Sequence, residues 1–536
     1  MRRAVPAASR VERPPDPMHD PTARSVADPL ARAGRIAFVV GALAVLSVAL
    51  RRVEMLPDKP LAEDGFYLLT VARHLALGEG LTIDGVHLTN GIQPLFTFLA
   101  VPAYWLAGGD RVEALRWVLL LDGLFFVSGA WWFGLVLRDL RLGRGDREVQ
   151  RLRWVGSLAW LASGHLFLMS HTGLETGCAL FFYLAYWRLS QRWPLCGIRA
   201  AVAHGGLLGV LVLARIDATF FVAAITGLHV LRGGRPLAAR LREAAVAGLA
   251  AVAVSSPWWI FNVVQFGSLM PISGMAESGG DESWGGIVVG RGLAALDALL
   301  LDATPMLWSG GAGDVVFHGL HVLLLFGVAG VLWRTRSPRR EGAVDPHAGR
   351  SVALALLVAG VGLAAYYSVR FWATHFYGRY FVLLAPLGLA AFAVAAVRLA
   401  DRLPRLGRVL PLGLLACTGG LVFVAHTGRM FVGNAWLHDQ VAVVREHVPP
   451  GAPLAAGQTG TLGYFVDGVH NLDGKVNAEA LRCQGHMERY LDEHGIEWLC
   501  DWPAYLERYV GAAHLAQRWQ LVARRGEFEL WRRRHG

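Results

Sequence analysis

The sequence predicts a mainly α-helical, polytopic membrane domain followed by a small extracytoplasmic α/β domain. Three observations carry that reading. Apolar stretches such as "IAFVVGALAVLSVAL" (36–50) and "LGLAAFAVAAVRLA" (387–400) recur up to residue 426, as in a chain that crosses a bilayer repeatedly. Charge is sparse: 17% of the 536 residues are charged and 54% are hydrophobic, against about 25% charged in soluble domains. Mean hydropathy is correspondingly high, at +0.40. After residue 430 the long apolar runs stop and short runs broken by Gly and Pro take over.

The elements follow in order. Residues 1–33 are rich in Pro, Arg, Asp and Ala without apolar periodicity and read as a disordered cytoplasmic tail. They do not read as a cleaved signal, because the first apolar stretch starts late and ends in Arg51 and Arg52. A membrane domain is expected over 34–429, with about eleven spans near 35–50, 114–137, 154–172, 176–191, 200–216, 218–231, 244–261, 315–333, 351–369, 380–397 and 409–426. Arginine sets the orientation. The loops "RDLRLGRGDREVQRLR", "RLSQRWPLCGIR", "RGGRPLAARLR", "RTRSPRREGAVDPHAGR" and "RLADRLPRLGR" each hold several arginines, whereas "HTGLETG" holds none. The arginine-rich loops are therefore cytoplasmic, which also accounts for the net charge of +10 without a nucleic-acid partner.

Residues 92–107 are apolar but short for a span, and counting them would invert the arginine pattern. They are expected to lie on or dip into the outer face. Large outer loops then cover 51–112, with helices near 64–77 and 92–107, and 262–314. Residues 430–536 form the outer α/β domain, with "VAVVREHV" and the runs after it read as β-like and helices near 477–495 and 503–519. Cys483 and Cys500 both fall in this domain, and an oxidising compartment would let them pair. Nothing in the spacing indicates a metal site; a divalent metal is not required by the sequence and is left open as a cofactor.

Chemistry-bearing residues gather in the predicted outer segments. "LAEDGFYLLTVARHLALGEG" (61–80) opens a helix with two adjacent acids, Glu63 and Asp64. Two roles fit Asp64. It can cap the helix, where free backbone N–H groups and the positive helix end favour a carboxylate, or it can act as a general base on a hydroxyl. "GLTIDGVHLTNGIQPL" (80–95) is a Gly-rich polar turn that brings His87, Asn90 and Gln93 between the two outer helices, as a turn or as part of a sugar site. Glu175 in "HTGLETG" caps a span or faces the same side. Arg215 and Asp217 in "ARIDATF" make a local ion pair or part of a site. Arg370, His375, Tyr377 and Arg379 in "RFWATHFYGRYF" run against the positive-inside trend. Several cations among aromatics suit an anionic ligand such as a phosphate.

Together "EDGFYLLTVARHLALGEGLTIDGVHLTNGIQPL", "TGLETG", "ARIDA", "FGSLMPISGMAES" and "GRY" resemble the GT-C glycosyltransferases, multi-pass enzymes that use polyprenyl-phosphate sugars. "GQTGTLGYFVDGVHNLDGKVN" resembles the tail of a bacterial branch of that class. The resemblance implies that Asp64 is the catalytic base, with Glu63 as second candidate. It implies that Arg379, then Arg370 or Arg215, holds the lipid phosphate. The implied reaction is inverting transfer of a sugar from a polyprenyl-phosphate donor to a lipid, glycan or protein hydroxyl, on the outer face of the cytoplasmic membrane and among membrane lipids. The competing readings are a transporter or flippase, disfavoured by ionisable groups clustered at the outer mouths, and a polymerase or ligase of lipid-linked glycans. A receptor would leave the polar outer loops unexplained.

Overall fold

A computed structural model describes residues 28–143, 145–232, 235–278, 346–370, 378–428 and 436–534. The expected span 315–333, His375, Tyr377 and most of the 262–314 loop lie outside the described residues. Among the described residues, six helices are long and apolar enough to cross a membrane: Pro29–Leu50, Arg111–Leu140, Leu237–Phe266, Ala348–Arg370, Arg379–Arg402 and Pro404–Thr427. The chain is a multi-pass integral membrane protein. Shorter helices complete the bundle, among them Thr176–Arg192, Ile198–Ala214 and Thr219–Arg232. Helices Ile198–Ala214 and Leu237–Phe266 approach closely because Gly205 and Gly209 face the second helix. A Cβ there would stand 2.2 Å from the Ala247 carbonyl oxygen and 2.6 Å from that of Ala251.

The expected span 154–172 is instead two pieces. A helix begins earlier, at Asp146, within the arginine-rich segment, and stops at Ala162. A short helix, Gly164–Ser170, follows, started by Ser163, whose hydroxyl accepts from the Leu166 N–H.

At one end of the bundle lie the two shorter helices of the first loop, α1 (Glu63–Leu77) and α2 (Pro94–Leu106). The pattern of α1 reads as that of an interfacial helix, but the helix is buried almost all round, from Gly65 through Ala72. Its second cover is the tail domain: Phe66 packs on Tyr464 and Phe465, and the Tyr67 hydroxyl accepts from the Thr459 N–H at 3.2 Å. Gly78, at φ 81°, ends α1 in the left-handed conformation.

The tail carries a five-stranded mixed sheet of β1 (Leu454–Ala456), β2 (Val469–Asn471), β3 (Trp498–Asp501), β4 (Trp519–Arg525) and β5 (Phe528–Arg533), in the order β2-β1-β3-β5-β4. β1 runs parallel to β2 and β3, while β5 is antiparallel to β3 and β4. "VAVVREHV" is helical rather than β-like: Leu437–His447 is a helix that buries Leu437, Gln440, Val441 and Val444, a helical period. All five cysteines are free thiols, with Cys500 buried in β3. The tail loop after β2 reaches back into the first loop, and that contact positions the site.

Candidate active site

Two glycines bring separate segments together at the N-terminus of α1. A Cβ on Gly65 would lie 2.1 Å from the Thr172 carbonyl oxygen, so only glycine lets the 171–175 turn lie against α1. The Ala62 N–H donates to that same carbonyl at 3.1 Å. A Cβ on Gly91 would lie 2.0 Å from the Lys475 carbonyl oxygen, so the tail loop likewise docks on bare backbone. The result is a cavity of about 550 Å³, walled by the first loop, the 174–175 turn, residues 215–220, the segment 269–277, the helix ending at Arg370, and Lys475.

Asp64 stands on its wall. It does not cap α1: the N-cap position is Ala62 and makes no side-chain bond. Its Oδ2 instead accepts from Arg379 Nη2 at 2.7 Å, and 37% of the Asp64 side chain remains exposed. Burial works against ionisation of Asp64, but the charge of Arg379 and then of Lys475 outweighs it, and the carboxyl is held below the usual range. Asp64 is therefore a carboxylate at neutral pH and is accessible from the cavity.

The adjacent acid turns away. Glu63 Oε2 accepts the Thr461 N–H at 2.9 Å and the Thr461 hydroxyl, against Gly460 of the tail. Burial pushes its carboxyl up to about 7, with the Thr461 hydrogen bonds pulling the other way. Glu63 does not line the cavity; it is a docking residue for the tail.

Of the other residues singled out in the sequence, Gln93, Glu175, Arg215, Asp217 and Arg370 do line it. Glu175 occupies an N-cap position without capping. Its Oε1 accepts from Arg215 Nη1 at 2.7 Å, while Arg215 also forks onto both oxygens of Asp217 at 3.0 and 2.6 Å. The Tyr367 hydroxyl donates to Asp217 at 3.0 Å, and Gln93 Oε1 accepts from the Ile216 N–H at 3.1 Å. Asn90 lies elsewhere, fully buried. It clamps Asn262 and the Ile272 N–H at 3.1 and 3.0 Å, which places the 269–277 wall. His87 also lies apart, against the tail.

Lys475 was invisible to sequence reading, being some four hundred residues from Asp64 in the chain. Its ammonium meets Glu277 at 2.8 Å, and the charges of Asp473, Glu277 and Asp64 raise its pKa against burial. Its position in "LDGKVN" was the available signal, at the end of the segment that resembles the tail of the GT-C branch, a resemblance that carried no role for the lysine. With it, the described lining holds four cations (Arg215, Arg370, Arg379, Lys475) and four carboxylates (Asp64, Glu175, Asp217, Glu277). Between them run aromatic and aliphatic surfaces, including Leu68, Phe220, Trp259, Met270 and Tyr366.

No protein-family model and no curated protein matches the chain in sequence. Solved structures do match in fold. ArnT from Cupriavidus metallidurans in the apo state aligns over 94% of this chain and 98% of its own, with TM-score 0.56 and 15% identity. The same protein bound to undecaprenyl phosphate aligns over 94% and 97%, with TM-score 0.55 and 14% identity. The fold is GT-C-like. Archaeal oligosaccharyltransferase AglB from Archaeoglobus fulgidus, in complex with an inhibitory peptide and a dolichol-phosphate, aligns over 87% of this chain and 69% of its own, with TM-score 0.51 and 12% identity. In this GT-C-like chain the tail is included in the likeness to ArnT, since nearly the whole length of both chains is covered.

Proposed function

We propose that the protein is an inverting membrane glycosyltransferase that moves a sugar from a polyprenyl-phosphate donor to an acceptor hydroxyl. The observation that carries this reading is the Asp64–Arg379 pair at 2.7 Å on the wall of a mixed polar and apolar cavity. A phosphosugar at the head of an isoprenoid needs cations for its phosphate, an apolar path for its tail, and a base for the incoming hydroxyl. Cations, apolar side chains and a carboxylate all line this cavity, which supports the reading.

In the mechanism, the donor phosphate takes hydrogen bonds from Arg379, with Arg370 and Lys475 as further cations. Arg215 is engaged by Glu175 and Asp217 and serves chiefly to hold that wall. As Arg379 turns to the phosphate, Asp64 loses part of its counter-charge. Its affinity for a proton then rises when a base is needed. Asp64 accepts the acceptor's hydroxyl proton, the oxygen attacks the anomeric carbon from the face opposite the phosphate, and polyprenyl phosphate departs with the bonding electrons. General-base help is worth about 10²–10⁴-fold, and a pre-set cation for the leaving phosphate about 10²–10³-fold.

The reading extends to topology. An odd number of spans, an N-terminus in the cytoplasm and a tail outside would put the cavity on the outer face of the cytoplasmic membrane. There the tail, seated beside the cavity, would help to recognise a lipid, glycan or protein acceptor. A divalent metal is not needed for any step above. The test is transfer in membrane vesicles given radiolabelled polyprenyl-phosphate sugars and envelope acceptors. Single-sugar transfer supports the reading. Transfer of a whole glycan would favour a ligase, and movement of lipid-linked sugar without transfer would favour a flippase.

A further inference from the structure

A second polar cluster lies outside the cavity lining, where the first loop meets the tail. Asp84 Oδ1 accepts the N–H groups of Val86 and His87 at 3.0 and 2.7 Å. These bonds fold 83–88 into a tight turn, closed by the antiparallel bridge Thr82–Leu88. The turn presents His87 to two tail histidines, His470 in β2 and His494 just after the helix Met487–Glu493. The three rings form a triangle with centroids 5.3 Å (His87–His470), 5.2 Å (His87–His494) and 5.3 Å (His470–His494) apart. One ring nitrogen from each lies within 4.8 Å of the other two.

A fourth donor stands beside them. Glu479 approaches His87 Nε2 at 3.5 Å and His494 Nε2 at 3.2 Å. The outer nitrogens are already oriented: His87 Nδ1 meets Asp84 Oδ2 at 2.6 Å, and His470 Nδ1 meets the Tyr490 hydroxyl at 2.9 Å. Such partners fix a ligating histidine's tautomer and leave Nε2 for a metal. Three imidazoles and one carboxylate are a four-ligand set of the kind that holds zinc tetrahedrally. Zinc–nitrogen bonds of about 2.0–2.1 Å would need the rings to close by roughly 1 Å, within reach of side-chain adjustment.

We propose that His87, His470 and His494, with Glu479 as fourth ligand, bind one divalent transition-metal ion of the zinc type that ties the first loop to the tail. The role is structural. The ion fastens the same joint through which Gly91 seats Lys475, and it takes no part in sugar transfer. The inference is independent of the proposed activity.

The test uses the full-length protein in detergent, without a histidine tag and stripped by chelator. Zinc and cobalt(II) are titrated in, with bound metal measured by mass spectrometry and cobalt geometry by its ligand-field absorption. The expected result is one equivalent retained through gel filtration, with a tetrahedral cobalt spectrum. His494→Ala and His470→Gln should each weaken binding at least about 10-fold, and so should Asp84→Asn, which spares every ligand. Asp64→Asn should leave binding unchanged. The proposal falls if wild-type protein retains no stoichiometric metal, or if His494→Ala and His470→Gln bind as wild type does, since the metal would then sit elsewhere.

Discussion

At Asp64, burial and counter-charge pull in opposite directions, and the counter-charge wins. The sign of a pH effect follows. Asp64 stays ionised well into the acid range, so kcat/KM should fall only when pH drops below the ordinary carboxylate pKa. Arg379→Gln removes the larger opposing charge, so the acid limb of the profile should move to higher pH, alongside a loss of roughly 10²-fold in transfer. A rate-versus-pH series on both proteins checks this, and an unmoved limb would separate Asp64 from the titrating base. Glu63 behaves oppositely. Its folded-state pKa, about 7, lies above the unfolded value of a glutamate, so its contribution to stability is present at low pH and is lost as pH rises through 7. Glu63→Gln keeps an acceptor for Thr461 and cannot ionise. It should therefore melt no lower than wild type at pH 8 and retain most of its activity, in thermal scans and transfer assays on the same preparation.

Among the elements, two joints lend themselves to test, a backbone contact at Gly91 and a buried cation at Arg51. Because the atom facing Gly91 is a carbonyl of the tail loop, no rotamer change can relieve an added methyl. Gly91→Ala should cost about 1–3 kcal/mol, loosen Lys475 and lower transfer, read by melting temperature and by protease sensitivity of the tail. Arg51, 1% exposed, donates to the carbonyls of Leu56, Asp58, Lys59 and Ala425 and so ties the end of the first span, the start of the first loop and the last described span together. Arg51→Leu strands several of those acceptors and should cost about 2–4 kcal/mol, visible as a lowered melting temperature in detergent. Local pattern made the first-loop helices readable, since apolar runs and the Gly78 stop signal are contiguous in sequence. It did not show that α1 is covered on its second side, because Tyr464 and Phe465 come from a distant segment. The break at Ser163 was equally hidden: one serine in an apolar run does not announce a helix start.

For the molecule as a whole, composition was enough for the class, and the outer motifs marked Asp64, Gln93, Glu175, Arg215, Asp217, Arg370 and Arg379 as candidates; it is the fold that lines one cavity with them. What sequence could not separate was Asp64 from Glu63, because adjacent helix residues differ in facing only once the neighbours are in place. Nor could it show Lys475 or the histidine triangle, whose members are joined by long-range docking rather than by spacing. Topology is testable with native thiols. Cys196 is exposed and falls in a loop read as cytoplasmic. A membrane-impermeant maleimide should label it only after permeabilisation, whereas Ala513→Cys, exposed on the tail, should label in intact cells in a background lacking Cys483. The reverse pattern would place the cavity on the cytoplasmic face.

The central claim is that Asp64 is the base for sugar transfer. The most direct measurement compares wild type, Asp64→Asn and Glu63→Gln, reconstituted in equal amounts with a polyprenyl-phosphate sugar that the wild type accepts. Loss of about 10²–10⁴-fold in kcat for Asp64→Asn, with Glu63→Gln near wild type, is the predicted result. Transfer that survives in Asp64→Asn and is lost in Glu63→Gln would contradict the account.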